Sequence, residues 1–357
     1  MSYNKNVSPV RVAIIGCGKK ARDHAREILK RENTEIVVVC EPEPAAYEAM
    51  ANIFSQASLP APPNLPQLER LLHDYGDDLD VAVIVTPHVF HFEQARSCLE
   101  AGLDVLLEKP MVVTADEANQ LIEARNRTGQ LLVIGFNGSL SPQIRTAARY
   151  LRSGEFGEIL TINATVWEDW SDKYIGHWKQ DADISGGGFM FDTGAHMLNT
   201  VADLAGEDFR QVAAWLDNRT APVDILGVVM GRLNSGALVT MNACGASMKG
   251  IGSEVRIYCT NGIIRTGIWG EFLEIQRPGD ALKPVEFRGR TNAWEGVFEQ
   301  FLAVRNKKIE NPSPPEIGLR MAKLWDGIKL SAKQGGIPVN LENRGINDRA
   351  NSCQSLE

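Results

Sequence analysis

Two side chains suited to proton transfer near neutral pH, and an acid that can orient one of them, lie in two separate stretches of the chain. Lys109 stands between Glu108 and Pro110, and Asp192 precedes His196 by four positions. Imidazole titrates near neutral pH, and a lysine does so once it is desolvated, so both suit acid–base chemistry. Residues four apart share a helix face, which lets Asp192 orient His196. We predict that Lys109 and His196 transfer protons and bind a hydroxyl, and which of them is the base stays open.

A helix over about 188–204 is predicted to carry the second pair, directly after three consecutive glycines. At 100° per residue, one face of this helix is polar. Its residues are Asp192, His196, Asn199 and Asp203. A solvent-exposed face is one interpretation, although such faces usually carry Lys and Glu and this one has neither. In the other interpretation, the face is part of a binding site, where Asn199 lies beside His196 and contacts the substrate. The alternative for Lys109 is a surface lysine that follows a strand.

A glycine motif follows the first apolar run of the chain. Gly16-x-Gly18-x-x-Ala21 ends a predicted strand and begins a helix, as the dinucleotide-binding fingerprint does. The first glycine permits the turn, the second lets the backbone approach a pyrophosphate, and the alanine permits close packing of the helix on the strand. Lys19 and Lys20 either add positive charge there or form a solvated pair. An ordinary tight turn between strand and helix is the alternative interpretation.

Glu41 ends the second apolar run, 23 residues after Gly18. An acid at about this spacing binds the ribose hydroxyls of a dinucleotide. The next residues are Pro42, Glu43 and Pro44, so no adjacent cation is available for a 2′-phosphate. A carboxylate near such a phosphate costs about 1 to 4 kcal/mol, depending on exposure. The sequence therefore favours NAD over NADP.

Strand-like apolar runs alternate with helix-length segments from residue 10 to about 136. The runs are VRVAIIG, EIVVVCE, DVAVIVTP, DVLLEKP and LLVIGF. This alternation predicts βαβ units and a mostly parallel sheet. The proline-rich stretch 58–68 is predicted to be an exposed excursion. We assign residues 8–137 to an α/β domain of the Rossmann type that binds NAD.

The second half of the chain has a different pattern. A helix at about 142–153 precedes longer strands, and helices are predicted near 293–307 and 315–334. The strands are predicted at about 158–168, 210–217, 223–233, 236–243, 254–268 and 272–276. Asn261-Gly262 predicts a hairpin. We assign 138–340 to an α+β domain with a largely antiparallel sheet and 341–357 to a polar tail.

Composition limits the partners and the compartment. The chain has 357 residues, a formal charge of −8 and a pI near 5.4, which argues against nucleic acid and membrane partners. Its six cysteines form no CxxC pair and indicate buried thiols in a reducing compartment. They are Cys17, Cys40, Cys98, Cys244, Cys259 and Cys353. No leader or spanning segment is recognised, so we expect a cytoplasmic protein with a small-molecule ligand.

Four motifs in order resemble the Gfo/Idh/MocA family, named after glucose-fructose oxidoreductase, inositol dehydrogenase and a rhizopine-catabolism protein. They are the glycine fingerprint, Thr86-Pro87-His88-x-x-His91, Glu108-Lys109-Pro110 and Gly186-Gly187-Gly188-x-x-x-Asp192-x-x-x-His196. The resemblance implies a Rossmann domain, then a domain whose open sheet binds substrate and forms homodimers or homotetramers. It implies an NAD(P)-dependent oxidoreductase of sugars, polyols or cyclitols, with Lys109, Asp192 and His196 as catalytic residues.

The resemblance also implies cofactor and substrate contacts. The residues predicted to contact the cofactor are Thr86, Pro87, His88, His91, Glu108, Lys109 and Asn137, and His88 replaces the usual Asn at its position. Asn137 belongs to a segment, 137–139, where many members have arginine. Trp178 and Lys179 precede the glycines in an aromatic segment and are predicted to contact the substrate. His88 and His91 have no third ligand at suitable spacing, so no metal site is predicted.

Two other functions fit the same residues. An NAD-dependent glycosidase or epimerase oxidises its substrate only transiently and releases no net NADH. A non-catalytic dinucleotide-binding protein keeps the Rossmann half, but it needs no proton-transfer residues, so the presence of Lys109, Asp192 and His196 counts against it. The leading hypothesis is an NAD-dependent dehydrogenase acting on CH–OH groups.

Overall fold

A computed structural model describes residues 8–287 and 296–341, which form two compact units. The first comprises 8–112, 117–136 and 296–315, and the second comprises 113–116, 137–287 and 316–341. Residues 342–357 of the predicted polar tail, Cys353 among them, lie outside the described residues.

The first unit contains a five-stranded parallel sheet, as predicted. Its strands are β1 (Val10–Ile15), β2 (Thr34–Cys40), β3 (Val81–Ile84), β4 (Asp104–Glu108) and β5 (Leu132–Gly135). Helices connect them: α1 (Lys19–Leu29), α2 (Pro44–Gln56), α3 (Leu68–Tyr75), α4 (His91–Glu100) and, from residue 117 on, α5 (Ala115–Thr128), with short 3-10 helices at Gly76–Asp78 and His88–Phe90. The strand order is β2-β1-β3-β4-β5. Because helices cover the sheet, β3 and β5 are buried throughout.

The proline-rich stretch 58–68 is mostly exposed, as predicted, but it also pairs with the backbone of β2. Asn64 forms a parallel bridge with Val39 beside β2, with hydrogen bonds from Val39 N–H to Pro63 O (3.0 Å) and from Leu65 N–H to Val39 O (2.9 Å). Proline lacks the N–H that a ladder requires, so the pairing stops after this bridge. The stretch therefore occupies the position of one more edge strand without becoming one.

The second unit contains a nine-stranded, mostly antiparallel sheet in the order β13-β12-β11-β10-β6-β9-β8-β7-β14. The strands are β6 (Ile159–Trp167), β7 (Phe209–Asp217), β8 (Leu226–Leu233), β9 (Leu238–Cys244), β10 (Glu254–Cys259), β11 (Gly262–Gly267), β12 (Leu273–Gln276), β13 (Lys283–Pro284) and β14 (Val339–Asn340). Among the described strands of this second sheet, β6 and β9 pair in parallel and the other neighbours pair antiparallel. The predicted hairpin is confirmed, but Cys259 pairs with Gly262, so its turn is Thr260-Asn261.

One face of this sheet carries exposed apolar side chains. Alternate residues of each strand point to opposite faces, so the exposed residues of neighbouring strands align. Trp215 pairs with Val228 and Ala213 with Met230, and the three large side chains are 44–51% exposed. The other face is buried with the helices of the unit. These are α6 (Asn137–Leu140), α7 (Pro142–Arg152), α8 (Ala182–Ser185), α9 (Phe189–Asp192) and α10 (Gly194–Ala205), with 3-10 helices at Asp172–Tyr174 and Trp178–Gln180.

The predicted single helix over 188–204 is wrong, because α9 and α10 are separate. The main chain at 188–190 is held by Asp224, whose carboxylate accepts the N–H of Gly188 (2.7 Å) and of Met190 (2.8 Å). A Cβ at Gly188 would lie 2.2 Å from the Asp224 carbonyl oxygen, so this close approach requires glycine. Thr193 keeps α-helical dihedral angles at the break, and Asp192 and His196 fall on different helices.

The last two helices belong to different units. The sequence assigned residues 293–307 to the second domain, but α11 (Val297–Arg305) groups with the first unit, and residues 293–295 lie outside the described residues. Glu299 N–H donates to Glu27 on α1 (2.9 Å), and Arg305 pairs with Asp104 on β4 (2.9 Å). These contacts fix α11 on the first sheet. Helix α12 (Pro315–Lys333) lies in the second unit from residue 316 on.

Candidate active site

The glycine turn of the first unit joins β1 to α1. Gly16 has a φ of +93°, and a Cβ there would lie 2.5 Å from the Val85 carbonyl oxygen, so only glycine fits. Gly18 precedes α1, and no described side chain caps the helix at this position. A Cβ at Gly18 would meet no described atom within 4 Å. Ala21 is fully buried. The turn thus presents helix N–H groups in the arrangement that binds anions.

Glu41 lies against this turn, directly after β2. One carboxylate oxygen accepts the Cys17 N–H at 2.6 Å and the other accepts the Glu43 N–H at 2.9 Å. The Asn64 side chain bonds both the N–H (3.0 Å) and the carbonyl oxygen (2.9 Å) of Glu41. The carboxylate is therefore fixed beside the glycine turn. Sequence reasoning found Glu41 but missed Asn64, which no local pattern connects with it.

Three cations lie on the helix side of the turn. Lys19 is exposed, and the Lys20 side chain is 46% exposed with its Nζ 3.9 Å from Glu108 Oε1. Arg22 donates from Nη1 to the Cys17 carbonyl oxygen at 2.8 Å. Sequence reasoning considered only residues 42–44 as phosphate partners and so missed Arg22, although it lies in the first turn of the fingerprint helix.

The loop after β3 carries the predicted threonine, proline and histidines. The Thr86 hydroxyl donates to Gln94 Oε1 at 2.6 Å, and Pro87 is partly buried. His88 is 4% exposed, and its ring centroid lies 5.8 Å from that of His91. No group of three or more His, Cys, Asp or Glu suited to a metal occurs among the residues described.

His91 connects two loops of the first unit. It is fully buried, with Nδ1 2.8 Å from the Pro110 carbonyl oxygen and Nε2 2.9 Å from the Thr86 carbonyl oxygen. Burial lowers the pKa of His91 despite these carbonyl groups. A neutral ring has one N–H and donates to one carbonyl at a time. His91, predicted as a cofactor contact, thus holds the loops that carry Thr86 and Lys109.

Lys109 follows the last residue of β4 and is partly buried. Its main-chain N–H donates to Glu108 Oε2 at 3.2 Å. Glu108 is 6% exposed, and its Oε1 lies 2.8 Å from His24 Nε2. The predicted first-unit residues, from the glycine turn to Lys109, thus lie at the carboxyl ends of β1 to β4, where open α/β sheets bind ligands.

Asp192 of the second unit is 1% exposed and accepts two hydrogen bonds on Oδ2. The donors are Trp170 Nε1 at 2.8 Å and Lys179 Nζ at 2.7 Å. Burial lowers the pKa of Lys179, but the charge and hydrogen bond of Asp192 outweigh it, so the net pKa is raised. The ammonium also lies 4.6 Å from the Tyr174 ring centroid. Sequence reasoning assigned Asp192 to His196 and missed this ion pair, 13 residues apart.

His196 lies beside a cleft of about 770 Å³ in the second unit. Its ring centroid is 5.6 Å from that of Trp269, which lines the cleft. Trp167 and Glu168 line it too, and the Thr193 hydroxyl donates to Glu168 at 3.0 Å. The cleft therefore adjoins the start of α10. No sequence pattern had indicated Trp269, which lies in a turn between strands.

The remaining predicted residues have different surroundings. Asn199 is 4% exposed, and its Oδ1 has no hydrogen-bond partner among the described residues. Asp203 is 3% exposed and pairs with Arg145 and Arg152, so the polar face of α10 is buried at Asn199 and Asp203. Trp178 lines a different cleft, of about 530 Å³. Asn137 is exposed at the start of α6.

Family models match both units. A model described as an oxidoreductase family with an NAD-binding Rossmann fold matches residues 10–136, and a Gfo/Idh/MocA C-terminal domain model matches 144–265. The chain belongs to the Gfo/Idh/MocA family. Within its described part, no helix has the length and apolar character needed to cross a bilayer.

Curated relatives of this Gfo/Idh/MocA protein include a dehydrogenase and a glycosyl hydrolase family member. The D-glucoside 3-dehydrogenase of Escherichia coli K12 is 28% identical over 208 residues, 56% of this chain and 55% of that protein. A glycosyl hydrolase family 109 protein of Shewanella pealeana is 26% identical over 178 residues, 48% and 39% of the two chains. The matches thus span about half, or less, of these relatives.

A solved structure shares the fold over most of the chain. An inositol dehydrogenase homologue from Azotobacter vinelandii, complexed with NAD⁺, superposes with a TM-score of 0.79 at 18% identity. That comparison covers 95% of this chain and all of the other.

Proposed function

We propose that this protein is an NAD-dependent oxidoreductase that transfers a hydride between the nicotinamide and a hydroxyl-bearing carbon of a sugar, polyol or cyclitol. The observation that carries the proposal is the Glu41 carboxylate, fixed beside the Gly16–Gly18 turn by the Cys17 N–H. Similarity to a D-glucoside 3-dehydrogenase and to an inositol dehydrogenase homologue supports the substrate class.

The residues of the first unit fit NAD. The N–H groups at the start of α1 suit a pyrophosphate, and the turn at Gly18 has no side chain that would block it. Glu41 keeps acceptor capacity for two ribose hydroxyls, because each of its oxygens accepts one N–H and has a second lone pair. When bound, NAD supplies the hydride acceptor.

Within this function Lys109 and His196 bind the reacting hydroxyl and move its proton. Lys109 follows a strand whose carboxyl end belongs to the ligand edge of the sheet. His196 lies beside the aromatic cleft, where the faces of Trp167 and Trp269 suit the C–H surface of a sugar ring. Asp192 holds the Lys179 ammonium at 2.7 Å, which gives the second unit a fixed polar contact for further hydroxyls.

A panel of sugars, glycosides and inositols tests the proposal. We expect steady formation of NADH with at least one of them and its loss in Lys109→Ala. The NADP-dependent rate should be lower with the same substrate. Binding of NADH without turnover of any panel member would favour the non-catalytic alternative, particularly if His196→Ala kept the cellular function of the protein.

An NAD-dependent glycosidase is the second candidate, favoured by the match to a glycosyl hydrolase family 109 protein. Such an enzyme reduces its intermediate again within one cycle. It would copurify with tightly held NAD and cleave a nitrophenyl glycoside without net NADH. Parallel assays of NADH and of released nitrophenol separate the two functions.

We propose that the exposed apolar face of the second sheet forms the subunit interface of a homodimer or homotetramer. Val228 and Met230 lie two residues apart on β8 and are 44% and 46% exposed. Light scattering after size-exclusion chromatography should show an oligomer for the wild type and a smaller species for Val228→Glu/Met230→Glu. A cytoplasmic location remains part of the proposal and is testable by cell fractionation.

A further inference from the structure

Glu108 occupies a closed slot in the first unit. Its carboxylate lies between His24 on α1, with Nε2 2.8 Å from Oε1, and the Lys109 main-chain N–H, 3.2 Å from Oε2. On the β5 side, a Cβ at Gly135 would lie 3.2 Å from the Glu108 Cδ and Oε1. Glycine at this position therefore leaves room for the carboxylate. The slot fixes the side chain that immediately precedes Lys109.

His24 has no other hydrogen-bonding role among the described residues. The ring is 2% exposed, and its Nδ1 has no partner in the described part of the chain. A buried polar ring costs free energy unless its hydrogen bonds compensate. The bond from His24 Nε2 to Glu108 is therefore the reason to keep a histidine on the buried face of the fingerprint helix.

Several charges act on the same carboxylate. Burial raises the pKa of Glu108, but the hydrogen bond from His24 and the charges of His24, Lys20 and Lys109 outweigh it and lower the pKa to about 2. The charge of Glu108 also acts on His91, where it raises the pKa against the larger lowering by burial. Glu108 is therefore an anion at every pH at which the protein is expected to work.

We infer that His24 and Glu108 are positioning residues that hold Lys109 in place for the reaction. They join the helix after the glycine turn to the loop that carries the proton-transfer lysine. The role in catalysis rests on the proposed function, whereas the positioning itself is a property of the first unit. A misplacement of about 1 Å at a reacting group can cost about 100-fold in rate.

The first measurement needs no substrate. Full-length protein is treated with acetic anhydride at one pH, and mass spectrometry compares the acetylation rates of Lys109 and the exposed Lys283. Acetylation of Lys109 should be at least threefold faster in Glu108→Gln, which removes the anion. It should be accelerated as much in His24→Leu, which removes the hydrogen-bond partner of that anion. His24→Gln, whose amide donates to the carboxylate, should restore the wild-type rate.

The matched control is Asp104→Asn, at the other end of β4. It also removes a carboxylate that pairs with a cation, Arg305, at 2.9 Å. Its Lys109 acetylation should equal that of the wild type. An unchanged Lys109 rate in folded Glu108→Gln, or the same acceleration in Asp104→Asn, would overturn the inference. Gln has nearly the same shape as Glu, so the Glu108→Gln acetylation rate decides the question if His24→Leu does not fold.

The second measurement compares kcat with the Kd for NADH in each variant. His24→Leu and Glu108→Gln should lower kcat about 10- to 100-fold while the Kd for NADH stays within threefold. His24→Gln should recover most of kcat, and an unaltered kcat in His24→Leu would overturn the catalytic part. If the wild type turns over no substrate, the proposed function fails, and the acetylation rates still decide whether the pair positions Lys109.

Discussion

Both units bury a carboxylate between an aromatic ring nitrogen and a lysine. In the first unit Glu108 faces His24 Nε2 at 2.8 Å and Lys20 at 3.9 Å, and in the second Asp192 accepts Trp170 at 2.8 Å and Lys179 at 2.7 Å. Indole N–H does not titrate, so of these two donors to Asp192 only Lys179 carries a charge. Glu108 distributes its charge over several weaker partners. Because Lys179 lies closer to its carboxylate than Lys20 does, removal of Lys179 should cost more stability than removal of Lys20.

The largest expected effect separates the two lysines that act on Glu108. Lys109→Met should lower kcat about 10²- to 10⁴-fold, because the variant loses a proton-transfer group, and leave the Kd for NADH within threefold. Lys20→Met should instead weaken NADH binding with little change in kcat. Fluorescence titration and steady-state rates measure both quantities. Comparable kcat values for the two variants would contradict the role of Lys109.

The free energy of unfolding at acidic pH tests whether the charge of Glu108 stabilises the first unit. The folded pKa of Glu108 is about 2 against an ordinary value of 4.5, so its charge stabilises the fold above pH 4.5 and this contribution is lost as the pH falls towards 2. The difference corresponds to about 3 kcal/mol. Denaturant unfolding of Glu108→Gln should show this loss at pH 7 and converge on the wild type near pH 2. A pH-independent difference would show that packing, and not charge, dominates.

In the second unit, loss of the Lys179 ammonium should lower the free energy of unfolding more than loss of the Trp170 indole N–H. Lys179→Met removes the ammonium that pairs with the buried Asp192 carboxylate at 2.7 Å, and we expect a loss of about 2 kcal/mol in the free energy of unfolding. Trp170→Phe removes one hydrogen bond and should cost about 1 kcal/mol. Lys179→Arg is the control that keeps the charge. Equal losses for Met and Arg would mean that the ion pair contributes nothing.

These partners show where prediction from sequence ends. The turn, the strand ends and the acid after β2 were predictable because each belongs to a local pattern in the chain. Glu108 and His24 are 84 residues apart, Glu41 and Asn64 are 23 apart, and neither pair lies on one element. Their contact depends on how helices and loops pack on the sheet, which hydrophobic periodicity does not specify.

The second half shows the same limit in its helices. The polar face of α10 was predictable from the helical period, but its burial depends on Arg145 and Arg152 of α7, which pair with Asp203. The break before α10 depends on Asp224, 36 residues after Gly188. Assignment of α11 to the first unit likewise depends on Glu27 and Asp104. Element types were therefore easier to predict than their partners.

The last prediction concerns the Glu41 carboxylate beside the glycine turn. Glu41→Gln keeps the shape of the side chain and removes the charge that opposes a 2′-phosphate. Relative to NADH, binding of NADPH should improve about tenfold, or about 1.4 kcal/mol, which lies within the range of about 1 to 4 kcal/mol for one charge pair.

Arg22 sharpens this last prediction, because its guanidinium lies on the same turn, bonded to the Cys17 carbonyl oxygen at 2.8 Å. If Arg22 can reach a 2′-phosphate once Glu41 is neutral, Arg22→Leu in the Glu41→Gln background should remove the gain in NADPH affinity. Glu35→Gln, an exposed acid near the start of β2, should leave the NADH to NADPH ratio unchanged. A ratio that does not respond to Glu41→Gln would mean that the carboxylate serves only its N–H partners, Cys17 and Glu43.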